Sequence, residues 1–280
     1  MIDRERIERL RYVSVSDPAA IDLRRFPDFL IIGPQRTGTT WLHANLREHP
    51  EVFLSEPKEL FFFSRLKPVG THKPREVSSE LADYLRAFRE RPLRYLYKQG
   101  LNLLFHKRFY NPRVRGEATA SYAAIDADVI ADIQALNPRI KAVMMVRNPV
   151  ERAWSHAKKD LARNAGRPIA EVADEDFEAF FRDPYQIRCA QYDRNLANWR
   201  SVLGNDRVFA GRFEDIQTRP VELMCRVMRF LGVDDDPRFA GRSVNEAVNP
   251  AGGAGVPARY RAILEDILAE ELDAWRRLLD

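Results

Sequence analysis

Two cysteines, Cys189 and Cys225, are all the thiol the chain carries. Two cysteines build no disulfide framework, and nothing around them has the spacing of a metal site. Long apolar runs are missing as well. The longest are Phe29 to Ile32, Leu60 to Phe63 and Ala142 to Val146, whereas a membrane-spanning helix needs about 20 apolar residues. The opening residues, MIDRERIERLRYVSV, are charged and hold no apolar stretch of signal-peptide length. Together these absences set a reducing, cytoplasmic compartment as the expectation. The chain also lacks internal repeats and low-complexity blocks. Its 280 residues are 45% hydrophobic and 31% charged, which excludes wholesale disorder and collagen-like architecture.

Charge is nearly balanced: 45 Lys and Arg against 41 Asp and Glu give +4. Its distribution is uneven. Between Arg86 and Arg115 stand nine cations (Arg86, Arg89, Arg91, Arg94, Lys98, Lys107, Arg108, Arg113, Arg115) and one acid, Glu90. A field of that sign attracts anions; the alternative is a solvated helical face offset by acids elsewhere.

The apolar pattern alternates between strand and helix. Asp28 to Ile32, Val52 to Leu54, Val114 to Glu117, Ile140 to Val146 and Arg207 to Ala210 read as strands. Helical spacing follows Gly38 and stops at His49-Pro50. It returns over 78–110 with a break at Pro92, then at 129–136, 190–203 and 221–231, the last ending at Gly232. Asn148 suits an N-cap and Pro149 the first helical position. A Gly/Ala/Asn-rich surface loop, Gly241 to Pro257, precedes one final helix from about Ala258 to Leu279. The organisation expected is a polar, helical lead-in over 1–27 and a single domain over 28–280. Its class is α/β, three layers with a central parallel sheet flanked by helices.

Gly33-Pro34-Gln35-Arg36-Thr37-Gly38-Thr39-Thr40 joins the first strand to a helix. Amides at a helix N-terminus lack intrahelical partners, and the dipole there favours negative charge. Gly38 lets the backbone approach an anion, Thr37, Thr39 and Thr40 add hydroxyls, and Arg36 adds a permanent cation. The spacing is that of a P-loop, G-x-x-x-x-G, but Thr39 stands where the phosphate-reading lysine of a nucleotide triphosphatase belongs. The loop is therefore P-loop-like, and ATP or GTP hydrolysis is disfavoured.

A second anion site is expected where Arg147 ends the 140–146 strand and Ser155 follows two turns into the next helix. Ligands in open α/β sheets bind at that carboxyl edge.

With both blocks in view, the sequence resembles the sulfotransferases that use 3′-phosphoadenosine 5′-phosphosulfate (PAPS). FLIIGPQRTGTTWL, from Phe29 to Leu42, is similar to the family's 5′-phosphosulfate loop. VRNPVERAWS, from Val146 to Ser155, is similar to its 3′-phosphate motif. Arg212 to Ile216 with Phe230 to Val233 resembles its late E-D-[IL]…F-L-G region. Gly116 to Tyr122 is similar to a segment of bacterial and carbohydrate-modifying members. The likeness covers about 28–235, with 65–115 as a variable helical region on the acceptor side.

That resemblance implies metal-independent, in-line transfer of a sulfuryl group from PAPS to a hydroxyl or amine, releasing adenosine 3′,5′-bisphosphate (PAP). It implies that the amides of Thr37, Gly38, Thr39, Thr40 and Trp41 cradle the 5′-phosphate. Arg36, standing where most relatives have lysine, would stabilise charge on the bridging oxygen, and Arg147 and Ser155 would bind the 3′-phosphate. Tyr192 is a candidate for adenine contact, or else a core tyrosine with Leu196 and Trp199. The family's C-terminal R-K-G donor motif is not visible; Arg242 and Arg259 are the candidates to replace it.

The acceptor must lose a proton. Glu59 lies in Lys58-Glu59-Leu60-Phe61-Phe62-Phe63, which looks like the K-E-x-x-F-F segment of heparan-type members, whose glutamate is the base. His43 and Glu117 are the rivals; the alternative for His43 is a surface or packing histidine, and for Glu117 a group that orients the site. Lys58 either touches sulfate or is solvated. The acceptor expected is a small molecule, a carbohydrate or a carrier-bound intermediate, with no nucleic acid, no membrane span and a possible homo-oligomer. Two readings compete: a P-loop kinase or NTPase, and a non-catalytic binder of nucleic acid or anionic membrane.

Overall fold

The structure, a computed structural model, describes residues 2–69, 79–246 and 255–278. Its centre is one parallel sheet of five strands: β1 (Phe29–Gly33), β2 (Val52–Leu54), β3 (Val114–Ala118), β4 (Lys141–Val146) and β5 (Val208–Arg212). Their order is β2-β3-β1-β4-β5. Every strand lies where the apolar runs put it.

The helices that fix the site are α1 (Thr39–Leu46), α2 (Pro92–His106), α3 (Ala127–Leu136), α4 (Pro149–Ala157), α5 (Tyr192–Leu203) and α6 (Pro220–Leu231). Strand residues alternate between two apolar clusters, as a sheet covered on both faces requires. Leu30, Ile32, Ala142 and Met144 join α3 and α5. Phe29, Ile31, Val143 and Met145 join α1 and α6. The three layers are thus α3/α5, sheet, and α1/α6.

The strand order positions the site. From the central β1 the chain leaves through α1 to one face, whereas α5 and the connection after β4 return on the other. A crevice therefore opens outside the carboxyl ends of β1 and β4, where the topology changes direction. A bulge sharpens that end: the β1–β4 register shifts between Ile31 and Gly33. Gly33 is fixed there by a close approach. Its φ is +98, and a Cβ on it would lie 2.0 Å from the Ala120 carbonyl oxygen. Gly33→Ala is expected to cost on the order of 3 kcal/mol. Thermal denaturation checks this; melting within about 1 °C of the parent contradicts it.

Three expectations are corrected. The lead-in is not merely polar and helical. Only Arg4–Arg9 is α-helical, and Ile2, Val13, Ile21 and Phe26 enter the core. One buried carboxylate explains this docking: Asp132 of α3 accepts the amides of Arg11, Tyr12 and Val13 at 2.9, 2.8 and 3.1 Å. The final helix is two, Ala258–Ile267 and Ala269–Arg277, broken at Leu268 (φ −112, ψ 26); Leu279 lies outside the described residues. The helical region 78–110 splits at Pro92, as expected, but only its first part buries its apolar residues. The apolar stripe of α2 faces outward. Of the loop at 241–257, residues 247–254 lie outside the described residues.

Candidate active site

The loop after β1 enters α1 through Gly38, which takes a left-handed φ of +98; a Cβ there would sit 2.3 Å from Ile216 Cδ1. No side chain caps α1. The Thr37 hydroxyl turns back instead and donates to the Pro34 carbonyl at 2.7 Å, which braces the loop. The amides of Thr39, Thr40 and Trp41 thus form a first turn with no side-chain acceptor. Thr39 is buried and Thr40 exposed. Trp41 buries its ring against α6, and its indole N–H donates to the Val244 carbonyl at 3.1 Å. Its side chain secures the 241–246 segment, so only its amide faces the loop.

Cations converge on this turn. Arg36, itself in the left-handed region at φ +69, donates from Nε to Ser155 Oγ at 2.8 Å. Arg147 donates from Nη1 to the Arg36 carbonyl at 3.0 Å, and its guanidinium lies 4.3 Å from the Phe213 ring centroid. Ser155 is placed by α4, whose cap is Asn148: its side chain accepts from Val150 and Glu151 at 3.0 and 3.1 Å. Lys158 follows Ser155 by three residues and joins the cluster.

Burial first, then repulsion from Arg147 and Arg163, pulls the Arg36 pKa below its ordinary value. Burial first, then Arg36 and Arg147, does the same to Lys158. Burial also lowers Arg147. Acids partly offset these charges: Asp160 acts on Arg36, Glu214 on Arg147, and Glu151 on Arg147 and Lys158 while also pairing with Arg261 at 2.7 Å. Cations gathered beside an uncapped helix start can together hold a multiply charged anion.

Tyr192 sits in the core with Leu196 and Trp199. Its buried ring has no open face for a base. Its buried hydroxyl has no hydrogen-bond partner among the described residues. Burial thus removes the stacking half of the expected adenine contact.

The acid arrives from the other side. Beyond β2, buried Phe62 and Phe63 anchor the chain, and Glu59 and Phe61 take left-handed φ of +66 and +58. Such backbone strain in non-glycine residues concentrates at functional sites; here it falls on both Arg36 and Glu59. The Glu59 amide donates to the Ala118 carbonyl at 2.9 Å, and its Oε2 accepts the Ala120 amide at 3.0 Å. Its Oε1 pairs with Lys58. Ala120 is also the residue against which Gly33 packs. The carboxylate and the anion loop therefore share one wall. Gln35 of the loop donates to the Tyr185 hydroxyl, a group that the Glu59 charge also reaches.

The rivals are placed differently. His43 is buried on α1 with Nε2 3.5 Å from the Ser55 carbonyl, and burial pushes its pKa down to about 4. It is a neutral packing group near pH 7. Glu117 is buried on β3, facing the hydroxyls of Tyr122 and Tyr84. Burial, with a smaller contribution from the Glu59 charge, pushes it up to about 8. Its folded value thus lies above its ordinary 4.5, so the stability it contributes is whole below pH 4.5 and lost as pH rises towards 8. Glu117→Gln should gain on the parent by up to about 1.4 kcal/mol per pH unit across that window. Parallel melting curves for the two proteins from pH 5 to 8 would contradict the assignment.

Arg242 and Arg259 do not reach this site. Arg242 pairs with Glu48 at 3.1 Å and Arg259 with Asp174. Sequence reasoning missed Lys158, Phe213 and the Gln35–Tyr185 contact. The first was discoverable, because residues three apart share a helix face. The others join distant segments and carry no local signal.

Residues 27–237 match the family model described as "Sulfotransferase family". Bifunctional heparan sulfate N-deacetylase/N-sulfotransferase 2 of Bos taurus is 27% identical over 225 residues, covering 75% of this chain and 22% of that one. Carbohydrate sulfotransferase 15 of Homo sapiens is 26% identical over 316 residues, covering 91% and 55%. The chain thus spans about a fifth to about half of the length of these relatives. Among solved structures, a sulfotransferase from Alicyclobacillus acidocaldarius shares the fold with a TM-score of 0.51 at 23% identity, covering 89% of this chain and 98% of that one. Mouse sulfotransferase SULT7A1 complexed with PAP gives 0.50 at 16% identity, covering 92% and 89%.

Proposed function

The chain belongs to the sulfotransferase family, and from that membership we propose that it moves a sulfuryl group from PAPS to a hydroxyl or amine acceptor, without a metal ion, and releases PAP. The observation that carries this reading is the chain of contacts from Arg147 to the Arg36 carbonyl and from Arg36 to Ser155, with Lys158 close enough to feel both guanidinium charges, beside the uncapped start of α1. It suits a ligand with phosphate at both ends of a ribose better than a triphosphate with Mg²⁺.

The amides of Thr37 to Trp41, with the Thr39 and Thr40 hydroxyls, take the 5′-phosphate. Arg147 and Ser155 take the 3′-phosphate, with Lys158 adding charge. When bound, the donor supplies the sulfuryl group. The Glu59 carboxylate accepts the acceptor proton as the new bond to sulfur forms. As the bond from sulfur to the bridging oxygen breaks, its electron pair stays on that oxygen, where Arg36 offsets the charge. Arg36 acts by charge alone, since guanidinium does not give up its proton here. Because Ser155 holds Arg36 Nε, a phosphate engaging Ser155 releases the arginine towards the sulfuryl group.

The relatives are named for heparan sulfate and carbohydrate sulfation. A saccharide is the acceptor class we favour, ahead of a small molecule or carrier-bound intermediate, in a cytoplasmic enzyme. The test supplies PAPS with a labelled sulfuryl group and a panel of hydroxyl- and amine-bearing saccharides. Label transfer and PAP release above the acceptor-free rate support the proposal. Donor binding with no transfer to any acceptor class contradicts it and leaves a nucleotide binder.

A further inference from the structure

Helix α2 is inside out. Its 15 residues, Pro92–His106, run for about 22 Å beside the edge strand β2, to which Arg94 donates at the Leu54 carbonyl, 2.8 Å away. On the inner face Lys98 is 8% and Asn102 3% exposed. Lys98 lies over the Tyr110 ring at 4.6 Å, and Asn102 donates to the Lys98 carbonyl at 3.0 Å. The outer face carries Leu93, Leu96, Tyr97 and Leu104 at 82, 64, 65 and 61% exposure, with Leu103 beside them. Positions 93, 96, 97, 100, 103, 104 and 107 form one helical stripe, so these side chains make a continuous surface. An apolar stripe turned to solvent along a whole helix marks an interaction site.

Charge decides among occupants. Arg89 and Arg91 at the start of the helix and Lys107 at its end are exposed, and none of the three has an ion pair among the described residues. The one acid of the stretch, Glu90, is drawn to the Tyr110 hydroxyl. A second copy docking two-fold on this stripe would set cation against cation at both ends. An anionic lipid surface matches both features: the leucines enter the acyl boundary, and Arg89, Arg91 and Lys107 meet headgroup phosphates. No helix among the described residues is long and apolar enough to cross a membrane, so α2 would lie in the interface plane. We propose that the outer face of α2 docks the enzyme peripherally on anionic membranes.

The test is co-sedimentation of the full chain with phosphatidylcholine vesicles, with and without phosphatidylglycerol. The expected result is binding to the anionic vesicles only, weakened by raised salt. The triple variant Leu93→Ser/Leu96→Ser/Leu104→Ser should partition at least about tenfold more weakly, with an unchanged melting temperature in vesicle-free buffer showing that the fold is intact. A tryptophan added by Leu96→Trp should shift emission to the blue on anionic vesicles beyond the shift of the parent, whose four tryptophans set the baseline. No vesicle binding by the parent overturns the proposal, as does binding retained by the folded triple variant. A parent dimer that the triple variant turns into monomers overturns it in favour of a second copy.

Discussion

Arg147→Ala is expected to weaken PAP by about 2–3 kcal/mol, or roughly 30- to 150-fold, while leaving ADP within about threefold of the parent. The size follows from losing a charge-assisted contact to a phosphate in a partly buried site. The selectivity follows from where Arg147 sits. ADP has no 3′-phosphate, so it gains nothing from the guanidinium. The competing role for Arg147 is structural, since it also holds the Arg36 carbonyl at 3.0 Å. If that were its whole function, PAP and ADP would weaken together. Calorimetric titration of both ligands against parent and variant separates the two, and Arg147→Lys should recover part of the PAP affinity but not all, since a point charge replaces a planar fork.

Glu59→Gln should reduce turnover by about 10²- to 10⁴-fold at saturating donor, with PAP affinity unchanged. Glutamine keeps an oxygen for the Ala120 amide, so the strained turn and its contact with the β1 loop persist. The capacity to take a proton goes, together with the ion pair to Lys58. Glu59→Ala removes that oxygen too, and is expected to lose donor affinity as well, because Ala120 also walls Gly33. Unchanged turnover in Glu59→Gln removes it as the base. With His43 neutral and buried and Glu117 inaccessible, the base would then have to come from the acceptor side.

What the sequence revealed of this fold depended on range. Strands whose residues are buried on both faces write themselves as apolar runs, and β4, Lys141–Val146, is the plainest case. The loop with Gly38 and the Asn148-Pro149 cap were legible because each depends on one or two adjacent residues. Contacts between distant segments were not. Nothing near Asp132 in sequence announces that it will hold Arg11, Tyr12 and Val13, and nothing near Ser155 announces Arg36. Helix α2 shows a different limit. Its apolar spacing is real, but periodicity does not say whether a stripe faces in or out. Lys98 turns inward over the Tyr110 ring and Asn102 inward with its amide donating to the Lys98 carbonyl, which leaves the leucines outside. Tyr192 was ambiguous for the same reason: a tyrosine on a helix reads alike as core or as ligand contact until its neighbours are known.

The crevice beyond β1 and β4 is proposed to hold a nucleotide by its 3′- and 5′-phosphates. Calorimetric titration of the unaltered protein with PAP, ADP and Mg·ATP tests it most directly. PAP should bind at least about 100-fold more tightly than ADP, because its second phosphate sits at the 3′ position that Arg147 and Ser155 engage while that of ADP extends the 5′ end, and Mg·ATP should bind no better than ADP. Equal affinity for PAP and ADP, or tighter binding of Mg·ATP, would contradict it.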